Sequence, residues 1–228
     1  MAGEYAVAAV ALVVALVAVA VAVSGFSYLL WLVLRVFSAP GVVVHEFAHK
    51  QACDAAGVPV AEVVYFRLGD PPGYVRHHHP KRYRTSFVIS VAPFLVNTII
   101  SLVAFLGFAW LVTTAVDATV LADGPALESV SAAVGELLAA PPETLALVGL
   151  SGWLGLSVGM QAFPSTGDAK TLWTRSSAEW RQSPLVLLGV PVVVVIYVAN
   201  LLSWLWADVL YALALGVAAF SVIGWIGL

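Results

Sequence analysis

The chain has 228 residues, of which 61% are hydrophobic and 10% are charged, and its mean hydropathy is +0.98. Soluble globular domains contain about 25% charged residues, so this composition excludes an ordinary soluble enzyme, a disordered chain and a nucleic-acid-binding protein. The single cysteine, Cys53, excludes a disulfide-stabilised scaffold. We therefore expect a polytopic membrane protein with one domain, residues 1–228.

Long apolar runs predict the membrane-spanning segments. A spanning helix needs about 20 apolar residues. Six such runs are present, at residues 5–23, 26–44, 85–116, 144–167, 182–207 and 209–228. The pair Ser24-Gly25 is predicted to separate the first two runs, and residues 184–228 are predicted to form a C-terminal membrane hairpin. The fold class is therefore an all-α membrane protein, a polytopic bundle of about six transmembrane helices.

The first run is predicted to be a retained helix and not a cleaved signal peptide. No Lys or Arg precedes it, and its apolar stretch is longer than an ordinary signal-peptide core. It therefore counts among the six predicted spans.

The charges between the runs predict the orientation of the chain. Residues 67–84 contain five basic residues and one acidic residue, and residues 170–181 contain three basic residues and one acidic residue. Residues 117–143 contain five acidic residues and no basic residue. Because short cytoplasmic loops are enriched in Lys and Arg, the two basic segments are predicted to face the cytoplasm and the acidic segment the outside of the cell membrane.

The first cytoplasmic loop is predicted to contain a little β-structure. Residues 60–66 are rich in Val and aromatic side chains, and the turn sequence Asp-Pro-Pro-Gly follows at residues 70–73. This pattern predicts a short strand and a tight turn, with a candidate second strand after the turn. An edge strand beside a peptidase site could bind an extended substrate by strand addition.

The strongest chemical signal is the motif His-Glu-Phe-Ala-His at residues 45–49. Side chains four residues apart lie on one face of a helix, so His45 and His49 can bind one Zn²⁺. Glu46 is adjacent and could act as the general base. Zinc lowers the pKa of a bound water to about 7, which makes hydroxide available at neutral pH. Such polar groups in an apolar setting are typical of functional sites.

A catalytic zinc site usually has a third protein ligand, and the best-placed candidate is Asp168. This residue follows the fourth apolar run, after Pro164 and Gly167, which are predicted to break the helix. Asp208 is a weaker alternative, because its tryptophan-rich surroundings are typical of an interfacial turn. Two further alternatives are Asp54 and Glu62.

Three further features carry smaller predictions. Asn97 lies in an apolar run, where it could bind a substrate carbonyl or form an interhelical hydrogen bond. Cys53 is predicted to be a small buried residue and not a fourth ligand, because a fourth protein ligand would close the site to water. A glycine stripe predicts a helix face that another helix or a substrate can approach closely; it comprises Gly149, Gly152, Gly155 and Gly159.

Together, the His-Glu-x-x-His motif and the distant Pro…Gly-Asp sequence resemble the site-2 protease family of intramembrane zinc metalloproteases. The resemblance covers residues 26–173 and implies a helical core with His45 and His49 as zinc ligands, Glu46 as the base and Asp168 as the third ligand. The chain resembles a divergent member. The family usually has Asn-x-x-Pro-x-x-x-Leu-Asp-Gly around its aspartate, whereas Gln161 replaces the Asn here and Asp168 follows the proline one residue early. The family element Gly-Pro-x-x-Asn is echoed at residues 92–97 with one extra residue.

The resemblance implies a zinc endopeptidase. We expect one Zn²⁺ per chain, and the basic loops that flank the candidate ligands predict a site that opens toward the cytoplasm. Its expected partners are a membrane-anchored protein substrate and the lipid bilayer, with no nucleic acid. One alternative is a catalytically inactive relative that acts as a membrane scaffold or binding protein. Another is a membrane-anchored zincin that cuts non-membrane substrates. The second is disfavoured because no Glu-x-x-x-Asp sequence follows His49.

Overall fold

The computed structural model describes residues 2–117, 126–180, 186, 189–202 and 206–226. These residues form eight helices and one two-stranded sheet. The helices are α1 (Ala2–Phe37), α2 (Ala39–Ala55), α3 (Tyr83–Ala115), α4 (Ala126–Leu138), α5 (Pro142–Met160), α6 (Thr166–Glu179), α7 (Val190–Leu202) and α8 (Ala207–Trp225), and the strands are β1 (Val60–Val64) and β2 (Tyr74–His77). The predicted helical class and the small strand pair are therefore confirmed.

Four of the described helices are long and apolar enough to cross a membrane. They are Leu12–Phe37 within α1, and the whole of α3, α5 and α8. The count of six spans is not confirmed. The predicted fifth run contains only the shorter apolar helix α7, and its residues 182–185, 187–188 and 203–205 lie outside the described part of the chain.

The predicted break at Ser24-Gly25 is wrong, because α1 runs through both residues without interruption. A glycine inside a helix costs about 1 kcal/mol relative to alanine, which is too little to stop a helix of 36 residues. The break instead follows Phe37: Ser38 is the N-cap residue of α2, and a proline occupies the first turn of that helix. Proline is tolerated there because the first helical N–H groups have no intrahelical acceptor.

The chain divides into two compact units, Met1–Phe37 and Ser38–Leu228. The first unit is α1, in which the Arg35 guanidinium lies 5.4 Å from the centre of the Trp31 ring. The second unit contains every other described element. The boundary falls inside residues 26–173, the segment for which the sequence analysis predicted a helical core.

Helix α3 forms the centre of the second unit and packs against α2, α5, α6 and α8. Its residues Phe105 and Ala109 form a buried cluster with Ala219 and Ile223 of α8. The predicted glycine stripe lies on α5, where Gly155 meets Phe105 and Gly159 meets both α3 and α8. The stripe therefore serves helix packing along at least part of its length.

Strands β1 and β2 pair antiparallel, with Val60 opposite His77 and Val64 opposite Tyr74. Arg67 holds the connecting loop: its backbone N–H donates to the Pro72 carbonyl oxygen at 2.7 Å, and its Nε donates to the Pro71 carbonyl oxygen at 2.9 Å. The loop lies beside α2, where Gly73 approaches Val42 and Glu46.

The basic and acidic segments lie at opposite ends of α3. At its first turn, Arg175 of α6 donates to the Pro80 carbonyl oxygen at 2.7 Å and to Ser86 Oγ at 2.5 Å. Just beyond its last residue, the backbone N–H of Asp117 donates to Glu136 Oε2 of α4 at 2.9 Å. This separation agrees with the predicted alternation of the loops.

Candidate metal centre

Three side chains converge where α2 meets the start of α6. One ligand atom each of His45, His49 and Asp168 lies within 4.8 Å of the other two, so the cluster could hold a metal ion. The His49 Nε2 atom is 3.5 Å from Asp168 Oδ2, and the two imidazole centres are 5.0 Å apart. All three residues were predicted as ligands from the sequence.

The three alternative carboxylates lie outside the cluster. Asp54 forms an ion pair with Lys50 on the exposed side of α2. Glu62 accepts hydrogen bonds from Tyr74 Oη at 2.7 Å and from Arg76 Nη1 at 3.0 Å. Asp208 lines a neighbouring cavity but is not a member of the cluster. Cys53 is fully buried and also lies outside it.

Backbone carbonyl groups orient both imidazole rings. His45 Nδ1 is 2.8 Å from the Gln161 carbonyl oxygen, and His49 Nδ1 is 2.9 Å from the Ile89 carbonyl oxygen. A carbonyl oxygen only accepts hydrogen bonds, so each Nδ1 carries the proton and donates it. The Nε2 atom of each ring is thereby left as the available ligand atom, as is usual for histidines that bind metals.

Ser165 fixes the carboxylate of Asp168. Ser165 is the N-cap residue of α6, and its Oγ accepts from the Asp168 N–H at 3.2 Å. In return, Asp168 Oδ2 accepts from the Ser165 N–H at 3.0 Å and from Ser165 Oγ at 2.6 Å. This reciprocal capping box satisfies the first turn of α6 and directs the carboxylate toward His49.

The pKa of Asp168 is lower than usual. Burial opposes ionisation of this carboxyl, but its hydrogen bond and charge interaction with His49 and its hydrogen bond from Ser165 outweigh that effect and lower the pKa. Asp168 is therefore a carboxylate at neutral pH, which is the form that binds cations. Two imidazole nitrogens and one carboxylate oxygen form a donor set that suits catalytic zinc, which usually keeps a fourth position open.

Glu46 lies beside the cluster and lines a cavity of about 290 Å³. The walls of this cavity include His45, Gly73, Ser165 and Asp208. Glu46 belongs to α2, which is not among the four candidate spans, and burial raises its pKa to about 7. A carboxyl with such a pKa can accept and release a proton near neutral pH.

Two glycines let other elements approach this part of α2. A Cβ atom on Gly41 would lie 2.1 Å from the Ser157 carbonyl oxygen of α5, and the Gly41 N–H donates to Ser157 Oγ at 3.1 Å. A Cβ atom on Gly73 would lie 2.7 Å from Glu46 Cγ. The first contact fixes α2 against α5, and the second places the loop of the strand pair directly on Glu46.

Asn97 of α3 is fully buried and connects α2 to the end of α5. Its Nδ2 lies 3.2 Å from both the Gly41 and the Val158 carbonyl oxygens and 3.0 Å from that of Gln161. The last of these also accepts from His45 Nδ1. The structure thus gives Asn97 the interhelical role, and direct contact with a substrate stays a prediction.

Sequence reasoning did not find the residues that support the ligands. The acceptors of the two imidazole protons are backbone atoms of Ile89 and Gln161, whose side chains give no signal of this role. Ser165 did carry a signal, because Ser-x-x-Asp before a helix is a capping-box pattern.

Comparisons of the chain with protein-family models, with curated proteins and with solved structures give no significant match.

Proposed function

We propose that this protein is a membrane-embedded zinc metalloendopeptidase, a divergent relative of the site-2 proteases, that hydrolyses peptide bonds of membrane-anchored proteins. The observation that carries the proposal is the convergence of His45, His49 and Asp168 beside Glu46 and an adjoining cavity. The four apolar helices support a membrane location for this chemistry.

Each residue of the site has a defined part in the proposed reaction. His45 and His49 would bind zinc through Nε2, because the Nδ1 atom of each ring already has a partner, and Asp168 would bind it through its carboxylate. When bound, zinc supplies a Lewis acid that polarises the peptide carbonyl and acidifies a water molecule. Glu46 would serve as the general base: its carboxylate would hold the proton lost by the attacking water molecule and would give that proton to the leaving amine.

We place the opening of the site on the cytoplasmic side of the cell membrane. The site lies at the end of α3 that adjoins the basic residues 67–84 and α6, and basic loops favour the cytoplasm. Hydrolysis needs water, which lipid excludes, so the cavity beside Glu46 is the proposed route for it. A helical substrate must unwind before its amide can react, so helix-breaking residues near the cleaved bond favour cleavage.

Zinc content and peptide cleavage together test the proposal. Purified protein in detergent should contain one zinc per chain by elemental analysis. It should cleave a fluorescence-quenched peptide that contains an apolar segment of about 20 residues interrupted by Gly-Pro. Zinc binding without cleavage of any such peptide would favour the scaffold alternative, and faster cleavage of a water-soluble peptide would favour the zincin alternative. Absence of zinc binding would contradict the proposal.

The orientation has its own test. In a Cys53→Ala background, single cysteines are introduced at Ser131 of α4 and Ser177 of α6. The first should react with a membrane-impermeant maleimide in intact cells, and the second only after lysis. Labelling of Ser177→Cys from outside would overturn the cytoplasmic opening while leaving the metal centre intact.

A further inference from the structure

Pro93 is a proline inside a long helix, ten residues after the start of α3. In an α-helix the N–H of each residue donates to the carbonyl four residues earlier, and proline has no N–H. The carbonyl that loses its ordinary donor is therefore that of Ile89. Ile89 and Pro93 are both fully buried, so water does not replace the missing donor.

The donor that replaces it is a proposed zinc ligand. His49 Nδ1 lies 2.9 Å from the Ile89 carbonyl oxygen, in a buried contact between α2 and α3. Because the oxygen accepts this proton, His49 presents Nε2 to Asp168 Oδ2 at 3.5 Å. The position of the proline along α3 thus coincides with the carbonyl that orients the ligand.

We infer that Pro93 is a positioning residue for the metal centre. By leaving the Ile89 carbonyl without a helical donor, it determines that Nδ1 of His49 carries the ring proton and how the His49 ring is oriented. An alanine at this position would supply an N–H for the Ile89 carbonyl, which would then compete with His49. The ring could lose its Nδ1 partner and turn, and its Nε2 would no longer be held toward Asp168.

A purely structural role for Pro93 predicts a different pattern. Membrane helices tolerate proline when neighbouring groups satisfy the freed carbonyl, and a proline that served only the shape of α3 would affect metal binding only through damage to the fold. The positioning role instead predicts that removing Pro93 weakens zinc binding in a protein that is at least as stable, because proline is the least favourable residue inside a helix.

The experiment compares two replacements of Pro93 in the full-length protein in detergent. Pro93→Ala restores the N–H. The matched control places the α-hydroxy acid analogue of valine at position 93 by nonsense suppression, which removes the proline ring but still offers no N–H. Zinc dissociation constants, thermal unfolding midpoints and water exchange of the His49 Nδ1 proton, followed by ¹⁵N-imidazole NMR, are measured for each protein.

For Pro93→Ala we expect a zinc dissociation constant about 10- to 100-fold higher, as is usual when a group that orients a ligand is lost. We also expect a faster-exchanging Nδ1 proton and an unfolding midpoint that is not lower. The α-hydroxy acid variant should retain the parent's zinc affinity and proton protection. Parent-like behaviour of Pro93→Ala, or loss of affinity in both variants, would overturn the inference.

The expected effect of Pro93 on zinc affinity rests on the proposed function, whereas its expected effect on the orientation of the His49 ring does not. A protected Nδ1 proton in a parent protein that binds no zinc would contradict the proposed function and leave the role of Pro93 standing. An unprotected Nδ1 proton in a parent protein that binds zinc would contradict the role of Pro93 and leave the proposed function standing.

Discussion

The two halves of the candidate metal centre are built in different ways. His45, Glu46 and His49 come from one helix, and the spacing along that helix is enough to place both imidazoles on one face. Asp168 comes from α6, more than a hundred residues later, and reaches the same point because α2 and α6 both pack against α3. The first half is local geometry, and the second depends on the assembled fold.

The two halves are also held by different groups. The imidazoles depend on backbone carbonyls of α3 and of the segment after α5, whereas the carboxylate depends on Ser165 in its own capping box. Helix α2 thus supplies the two imidazoles but not their orientation, which its neighbours supply.

The largest effect on activity is expected from a change in α2, the helix that carries both histidines and Glu46. Glu46→Gln keeps the volume of the side chain and its ability to accept hydrogen bonds but cannot take a proton, so turnover should fall about 10²- to 10⁴-fold with zinc content unchanged. Rates on the quenched peptide and elemental analysis measure the two effects. Activity within tenfold of the parent's would remove Glu46 from the proposed mechanism.

The distant half is tested by Asp168→Ala, with Asp208→Ala as the matched control. Loss of a direct ligand should exceed the effect of losing a supporting group, so the zinc dissociation constant should rise by more than about 100-fold. The control should leave it unchanged, because Asp208 lies outside the cluster. Equal zinc affinity in the two variants would show that the second half contributes no ligand.

The hydrogen bonds that Ser165 makes to Asp168 are tested by Ser165→Ala. The change removes the N-cap and one hydrogen bond to Asp168, so α6 should lose about 1 kcal/mol of stability and zinc affinity should fall about 10-fold. Ser165→Thr retains the hydroxyl and should behave like the parent. If both variants bound zinc with parental affinity, Asp168 would not depend on its capping box.

The smallest effect on zinc binding and turnover is expected from Gly41→Ala, which disturbs the packing of α2 against α5. The added methyl meets backbone of α5, so the free energy of unfolding should fall by about 1–3 kcal/mol. Gly107→Ala is the control, because a Cβ atom on Gly107 has no neighbour within 4 Å. A stability loss that was equal in both variants would remove the special role of the contact between α2 and α5.

The features that could be predicted from the sequence depend on composition or on the spacing of residues along one helix. The apolar runs predicted α3, α5 and α8 closely, and the motif spacing predicted the pair of imidazoles. The helix break predicted at Ser24-Gly25 was wrong because two weak helix formers do not outweigh the apolar residues around them. Asp168 was predicted from helix-breaking neighbours, but its contact with His49 depends on packing that no spacing encodes.

The supporting atoms could not be predicted in the same way. Ile89 and Gln161 act through their carbonyl oxygens, and every residue has one. Only the packing of α2 on α3 and on the end of α5 decides which carbonyls meet an imidazole. An interhelical hydrogen bond was one of the two roles predicted for Asn97, but its partners on two other helices became visible only in the assembled unit.

The shared carbonyl of Gln161 has a consequence for how the protein is made. His45 finds its acceptor only once the chain has been synthesised past residue 161, and Asp168 becomes available later still. A nascent chain that ends before this segment contains Glu46 and both histidines but has no complete set of ligands. We therefore expect the metal site to form only after α2, α3 and α5 and the start of α6 have been synthesised, so that a protein with the proposed function would gain its hydrolytic capacity only at that stage.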